Sequence, residues 1–223
     1  MTNSIERIHG KSPPTHAAIW LHGLGATADD FVPVLPYLGL SDSCNIRFVF
    51  PQAPDRPITV NGGYVMPGWY DIKGMDITDK EDRAGMTESR FILEALIEEQ
   101  IAKGIPSENI LLIGFSQGGA LAYYTGIRSQ HKLAGILALS AYLPFLAEAK
   151  GEHSGVNINS PVMGMHGTAD PVVSISAGKK SAEVLQTLGY QVQWQEYPMG
   201  HCVIPEQLTD IGSWINKICL VDK

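Results

Sequence analysis

The sequence predicts an α/β protein: a mostly parallel sheet with helices on both faces. Three observations carry that prediction. Short apolar runs closed by turn residues recur along the chain, stretches with helical spacing alternate with them, and several of the runs are apolar throughout, as in strands buried on both faces.

In order, HAAIWLHG (16–23) and NIRFVFP (45–51) read as short buried strands. Between them ADDFVPVLPYLGL (28–40) predicts a helix that Pro33 and Pro36 shorten or bend. MTESRFILEALIEEQIAKG (86–104) predicts a longer helix, with Phe91, Ile92, Ala95, Leu96 and Ile101 on helical spacing and Gly104 as its stop. NILLIGFS (109–116), LAGILALS (133–140) and PVMGMHG (161–167) read as strands. A helix over about 176–188, the strand YQVQWQEY (190–197) and a helix over about 206–218 complete the alternation. Two long segments, 53–85 and 141–160, mix Pro, Gly and polar residues with apolar ones such as Tyr64, Met66, Trp69 and Tyr70. Loops of this length are usually functional, and their apolar residues either wall a pocket or pin the loops to the sheet.

The 223 residues contain no linker-like stretch, and 44% apolar content suffices for a sizeable core, so one domain over 1–223 is expected. A formal charge of -7 without Lys/Arg clusters argues against nucleic acid and anionic membranes. Cys44, Cys202 and Cys219 lack metal-site spacing, and reduced thiols in a cytoplasm are the simplest reading. The N-terminus has no apolar core of signal-peptide length, which also predicts a cytoplasmic protein without stable membrane insertion.

Gly114-Phe115-Ser116-Gln117-Gly118 is a G-x-S-x-G. An apolar strand precedes it and a small-residue, helix-compatible segment follows, the context of a nucleophile elbow. A serine hydroxyl needs a base, and the base a carboxylate, in the chain order Ser, Asp or Glu, His. His201 follows a predicted strand and precedes the last helix, whereas His131, His153 and His166 are less suitably placed. Asp170 follows the strand over 161–167, and its competitor Asp210 comes after His201, in the wrong order. Zinc held by His22, His166 and His201 is the competing reading, but no pair has ligand spacing, and neither metal nor cofactor is expected.

Gly23-Leu24-Gly25-Ala26-Thr27-Ala28 scans as G-x-G-x-x-A, a dinucleotide-binding turn, or as a loop offering a backbone N–H to an oxyanion. The first reading needs an acid at the end of the second strand, where FVFPQ has none, and Asp29 and Asp30 would repel a pyrophosphate. The second makes Leu24 and Gln117 the amide donors.

The blocks LHGLG, FPQAP, RPITVN, MPGWYDI, GIPSENILLIGFSQGGALAYYTG, LAGILALSAYLP, HGTADPVV and GHCV resemble the acyl-protein thioesterase branch of the phospholipase/carboxylesterase family of α/β-hydrolases, from about residue 16 to 219. The resemblance implies an α/β-hydrolase fold with short covering loops, a triad of Ser116, Asp170 and His201, and oxyanion donors at Leu24 and Gln117. It also implies an acyl pocket at Ile72, Met75, Tyr142 and Val172, with Trp69 in the covering loop. Tyr142 stands where the family often has Trp, and members vary in the residues just after the histidine, here Cys202-Val203; both bear on acyl preference.

The expected activity is hydrolysis of acyl esters or thioesters, on small molecules or acylated proteins, through an acyl-enzyme. Lysophospholipids are the alternative substrates. A non-catalytic binding protein of this fold and a dinucleotide-binding oxidoreductase are the rival classes, and an apolar loop rim offers a surface for a homodimer.

Overall fold

A computed structural model describes residues 3–74 and 80–220. In chain order the elements are β1 (Ser4–His9), β2 (His16–Leu21), β3 (Ile46–Pro51), β4 (Asp55–Ile58), β5 (Tyr64–Pro67), α1 (Arg83–Ala102), β6 (Ile110–Phe115), α2 (Gln117–Arg128), β7 (Gly135–Leu139), α3 (Ala149–Glu152), β8 (Val162–Gly167), α4 (Ile175–Thr187), β9 (Val192–Tyr197) and α5 (Pro205–Cys219). Among the described residues seven strands form one sheet in the order β1-β3-β2-β6-β7-β8-β9, all neighbours parallel except β1 against β3.

Alternate residues of the central strands feed two cores, which is why these runs are apolar throughout. In β2, Ala17, Ile19 and Leu21 face a core shared with α1, α2 and α4, while Ala18 and Trp20 face one shared with α5 and the segment around Phe31 and Leu38. This is the α/β-hydrolase architecture, with helices on both faces.

The structure departs from the sequence reading in four places. Residues 28–40 yield only a 3-10 turn, Val32–Tyr37, because Pro36 lies inside it, where an α-helix would need its missing N–H. α1 packs through Met86, Leu93, Leu96 and Ile97. Phe91, two positions from Leu93 and so on the opposite side, is 65% exposed, and Ala95 is exposed as well. The segment 53–85 contains the antiparallel hairpin of β4 and β5, paired from Asp55↔Pro67 to Ile58↔Tyr64. β1 joins the sheet as an antiparallel edge that the alternation gave no sign of.

No helix among the described residues is long and apolar enough to cross a membrane.

Candidate active site

Ser116 sits between β6 and α2 with φ 55° and ψ -119°, a left-handed conformation that costs a non-glycine residue free energy and turns its side chain out of the sheet. The turn closes only because its neighbours lack side chains. A Cβ on Gly114 would run into the carbonyl of Gly118, and one on Gly118 would meet the carbonyl oxygens of Leu21 and His22 at 2.5 and 2.6 Å.

Two later loops bring the partners to Ser116. Thr168 N–H donates to Tyr197 O at 2.8 Å and Ala169 N–H to Met199 O at 3.1 Å, so the chain after β8 is stitched to the chain after β9. Asp170 and His201 lie on these two strands of backbone. His201 Nδ1 is 2.7 Å from Asp170 Oδ2, and Nε2 is 2.9 Å from Ser116 Oγ. A carboxylate can only accept, so Nδ1 carries the proton and the Nε2 lone pair faces the hydroxyl. Asp170 Oδ1 accepts the N–H groups of Val172 and Val173 at 2.8 and 2.9 Å, and its side chain is fully buried. Phe115 packs against the His201 ring at 4.8 Å.

His166 lies beneath the carboxylate, with Nε2 donating to Val173 O at 2.9 Å and standing 3.6 Å from Asp170 Oδ2. Burial lowers its pKa, against the opposing pull of the Val173 carbonyl and Asp170. It is a neutral brace for the turn that carries Asp170.

The loop after β2 is anchored from three sides. His22 Nε2 accepts Ala53 N–H at 3.1 Å, so its proton is on Nδ1 and goes to Gly23 O at 2.8 Å. Burial lowers this imidazole's pKa too. Gly25 N–H donates to Pro67 O at 2.8 Å and Ala26 N–H to Gly23 O at 3.3 Å. Trp69 gives its indole N–H to His22 O at 2.9 Å. Gln117 completes the bracing, its Oε1 accepting Trp69 N–H at 2.7 Å and its Nε2 donating to Tyr70 O at 2.6 Å. This use of the Gln117 side chain was invisible in the sequence, where Gln117 counted only for its amide.

A cavity of about 270 Å³ opens at Ser116. Leu24, Gln117, Ile72, Tyr142 and Val172 line it, together with Tyr70, which the sequence left open between pocket wall and loop pin, and with Asp30 and Phe115, which the sequence reading did not assign to a pocket. Trp69 does not reach it. With 0% exposure it lies under the loop after β2, where its size and indole N–H hold that loop in place. Met75 lies outside the described residues. The Tyr70 and Tyr142 hydroxyls are 3.2 Å apart, and burial raises the Tyr70 pKa well above the ordinary phenol value. Tyr142 also borders a larger cavity of about 560 Å³ beside Leu146 and Lys180.

His22 bonds to Ala53 and Gly23, apart from His166 and His201, which both face Asp170, and among the described residues no group of three or more His, Cys, Asp or Glu side chains could hold a metal. The G-x-G-x-x-A segment does not lead into an α-helix: the chain after it forms turns and then the 3-10 turn Val32–Tyr37, so it lacks the helix N-terminus that a pyrophosphate uses. Cys44, Cys202 and Cys219 are all free.

A parallel sheet with a strained serine between strand and helix, and a histidine and aspartate delivered from later strand ends, is the construction of the α/β-hydrolases. The phospholipase/carboxylesterase family profile matches residues 3–219. The chain belongs to that family and is a hydrolase. It is 39% identical over 216 residues to acyl-protein thioesterase 1 of Gibberella zeae, covering 92% of each chain. Identity to acyl-protein thioesterase 1 of Yarrowia lipolytica is 35% over 216 residues, covering 95% of each. Among solved structures, Arabidopsis thaliana SOBER1 superposes with a TM-score of 0.86 at 30% identity, covering 91% of this chain and 98% of that one.

Proposed function

We propose that this chain, acting as one domain, hydrolyses acyl thioesters and esters through an acyl-enzyme on Ser116. Ser116 Oγ attacks the carbonyl carbon while His201 Nε2 takes its proton, and Asp170 holds the imidazolium that forms. The tetrahedral oxyanion is met by the amides of Leu24 and Gln117. Gln117 stands in the first turn of α2, where amides have no intrahelical acceptor. Gly25 and Ala26, next to Leu24, have committed theirs to Pro67 and Gly23. His201 then protonates the departing thiol or alcohol. Water, activated by the same imidazole, hydrolyses the acyl-serine without a cofactor.

The observation that carries this reading is the unbroken line from Asp170 Oδ2 through the His201 ring to Ser116 Oγ. Ile72, Tyr142 and Val172 form the acyl wall, with Met75 assigned to it by resemblance alone. The names of the fungal relatives favour protein thioesters over lysophospholipids as substrates. Three free thiols support a cytoplasmic setting, and exposed Tyr64 and Val65 on the β4–β5 hairpin support a homodimer.

A serine-directed fluorophosphonate tests the chemistry. Wild type should be labelled at Ser116 and Ser116→Ala should not, and a folded wild type that stays unlabelled would overturn the mechanism. An intact triad already weighs against the non-catalytic reading, and the same labelling decides it.

A further inference from the structure

We infer that Asp30 makes this site favour acylated cysteines flanked by basic residues, an inference that rests on the reading of Ser116 and His201 as the reacting pair. Asp30 is the one carboxylate among the described residues that line the cavity at Ser116, and that lining holds no lysine or arginine to neutralise it. Its neighbour Asp29 is occupied by the Thr27 hydroxyl. Asp30 N–H donates to Thr27 O at 3.0 Å, which fixes the turn that presents its exposed side chain.

Its place in the cavity decides which part of a substrate it meets. The Phe31 ring lies 5.8 Å from that of Phe115, and the Phe115 ring lies 4.8 Å from that of His201. The backbone that carries Asp30 is therefore packed, through Phe31 and Phe115, on the imidazole's side of the cavity that Asp30 lines, while Ile72, Tyr70 and Tyr142 form its tyrosine-lined wall. The group that receives the His201 proton is the leaving thiol, so Asp30 meets the peptide side of the substrate and the acyl chain meets the other. A carboxylate there attracts lysine or arginine beside the thioester and repels glutamate or aspartate. The chain's net charge of -7 acts in the same direction at longer range. Two unit charges about 6–8 Å apart in water change an equilibrium about twofold to threefold, so attraction and repulsion together separate basic from acidic flanks by roughly fivefold to tenfold.

The test uses N-acetylated peptides with one S-octanoyl cysteine between two Lys, two Ser or two Glu residues. The full-length wild type is compared with Asp30→Asn, Asp30→Glu and Glu108→Gln; exposed Glu108 lies just before β6, at the opposite end of the strand that leads to Ser116. The Ser peptide reports any general effect on the chemistry. In Asp30→Asn the Lys-to-Glu ratio of kcat/KM should fall roughly fivefold to tenfold, while Asp30→Glu and Glu108→Gln keep it. An unchanged ratio in Asp30→Asn overturns the inference, as does an equal fall in Glu108→Gln, which would assign the preference to net charge. Failure of wild type to hydrolyse any of the three peptides overturns the reading of the site, and the inference with it.

Discussion

The loop after β2 and the β4–β5 hairpin touch each other through the Gly25 N–H to Pro67 O hydrogen bond, yet the chain holds them in opposite ways. The loop is braced by buried groups: His22 at 2% exposure, Trp69 at 0% and Gln117 at 3%, each bonded to backbone. The hairpin buries Ile58 but leaves Tyr64 70% and Val65 57% exposed. The reacting centre is thus positioned mainly through backbone hydrogen bonds in a dry environment, where each is costly to break. The hairpin beside it rests on few buried contacts and can change sequence at little cost to stability. The two neighbouring regions thus differ in mechanical standing.

The largest effect that separates the two regions is on the chemistry itself. Ser116→Ala should lower kcat by about 10⁴-fold to 10⁶-fold and Asp170→Asn by about 10⁴-fold. Both should leave thermal unfolding nearly unchanged for Ser116→Ala and modestly lowered for Asp170→Asn, which keeps the acceptor for Val172 and Val173 N–H. A kcat within tenfold of wild type for either variant would remove it from the mechanism.

Next comes the bracing. Trp69→Phe keeps much of the apolar volume but leaves His22 O without its indole donor, an unsatisfied buried carbonyl that costs about 1–3 kcal/mol. Because His22 leads directly into Gly23 and Leu24, kcat should fall about tenfold or more while KM for a short ester stays within about twofold. Equal losses in kcat for Trp69→Phe and for a hairpin substitution would erase the distinction between the braced loop and the hairpin.

The sequence reveals the regions unequally for the same physical reason. Strands buried on both faces are apolar at nearly every position, so β2, β3, β6, β7 and β8 stand out despite His16, Arg47 and His166. The elbow announces itself because backbone packs on backbone at Gly114 and Gly118, which excludes side chains. Asp170 and His201 follow from strand order and chemistry. Edge and surface elements answer to weaker constraints. β1 has one neighbour, and SIERIH mixes half-buried with exposed positions, so no periodicity marks it. The hairpin carries Pro57, Gly62 and Gly63, which read as loop. Phe91 is apolar yet points outward, a freedom that a surface position tolerates. The bracing role of Gln117 depends on two residues about 48 positions away, and no local pattern encodes such a contact.

A smaller effect appears with pH. His22 and His166 are held neutral, since burial lowers both pKa values and His22 Nε2 must keep its lone pair for Ala53 N–H. In the unfolded chain the same imidazoles take up protons near the ordinary value of 6.5. Below that pH the unfolded state binds more protons than the native one. Stability is therefore full above about pH 6.5 and declines as pH falls, each histidine contributing at most about 1.4 kcal/mol per pH unit. The Tm should drop between pH 7.5 and 5.5, and His22→Gln, whose amide oxygen can still accept Ala53 N–H, should reduce that slope. A slope unchanged by His22→Gln would place the acid sensitivity outside the bracing.

The smallest effect on stability belongs to the hairpin. Tyr64→Ser with Val65→Ser removes exposed apolar groups, so unfolding should shift by no more than about 0.5 kcal/mol per site and Ser116 should still label with a fluorophosphonate. Substrate preference is where the change should register. The cavity of about 270 Å³ lies just below the size of most small-molecule sites, about 300–1,000 Å³, so a long acyl chain has to extend beyond it. If that path crosses the hairpin, each methylene removed from water there contributes up to about 0.8 kcal/mol. The double variant should then lose about threefold or more in kcat/KM on dodecanoyl esters and almost nothing on butanoyl esters. Measuring mass in solution alongside the kinetics separates this from the second use of the same residues. A variant that turns from dimer to monomer with its chain-length profile intact assigns Tyr64 and Val65 to an interface between copies. The acyl wall would then consist of Ile72, Tyr142 and Val172 without the hairpin.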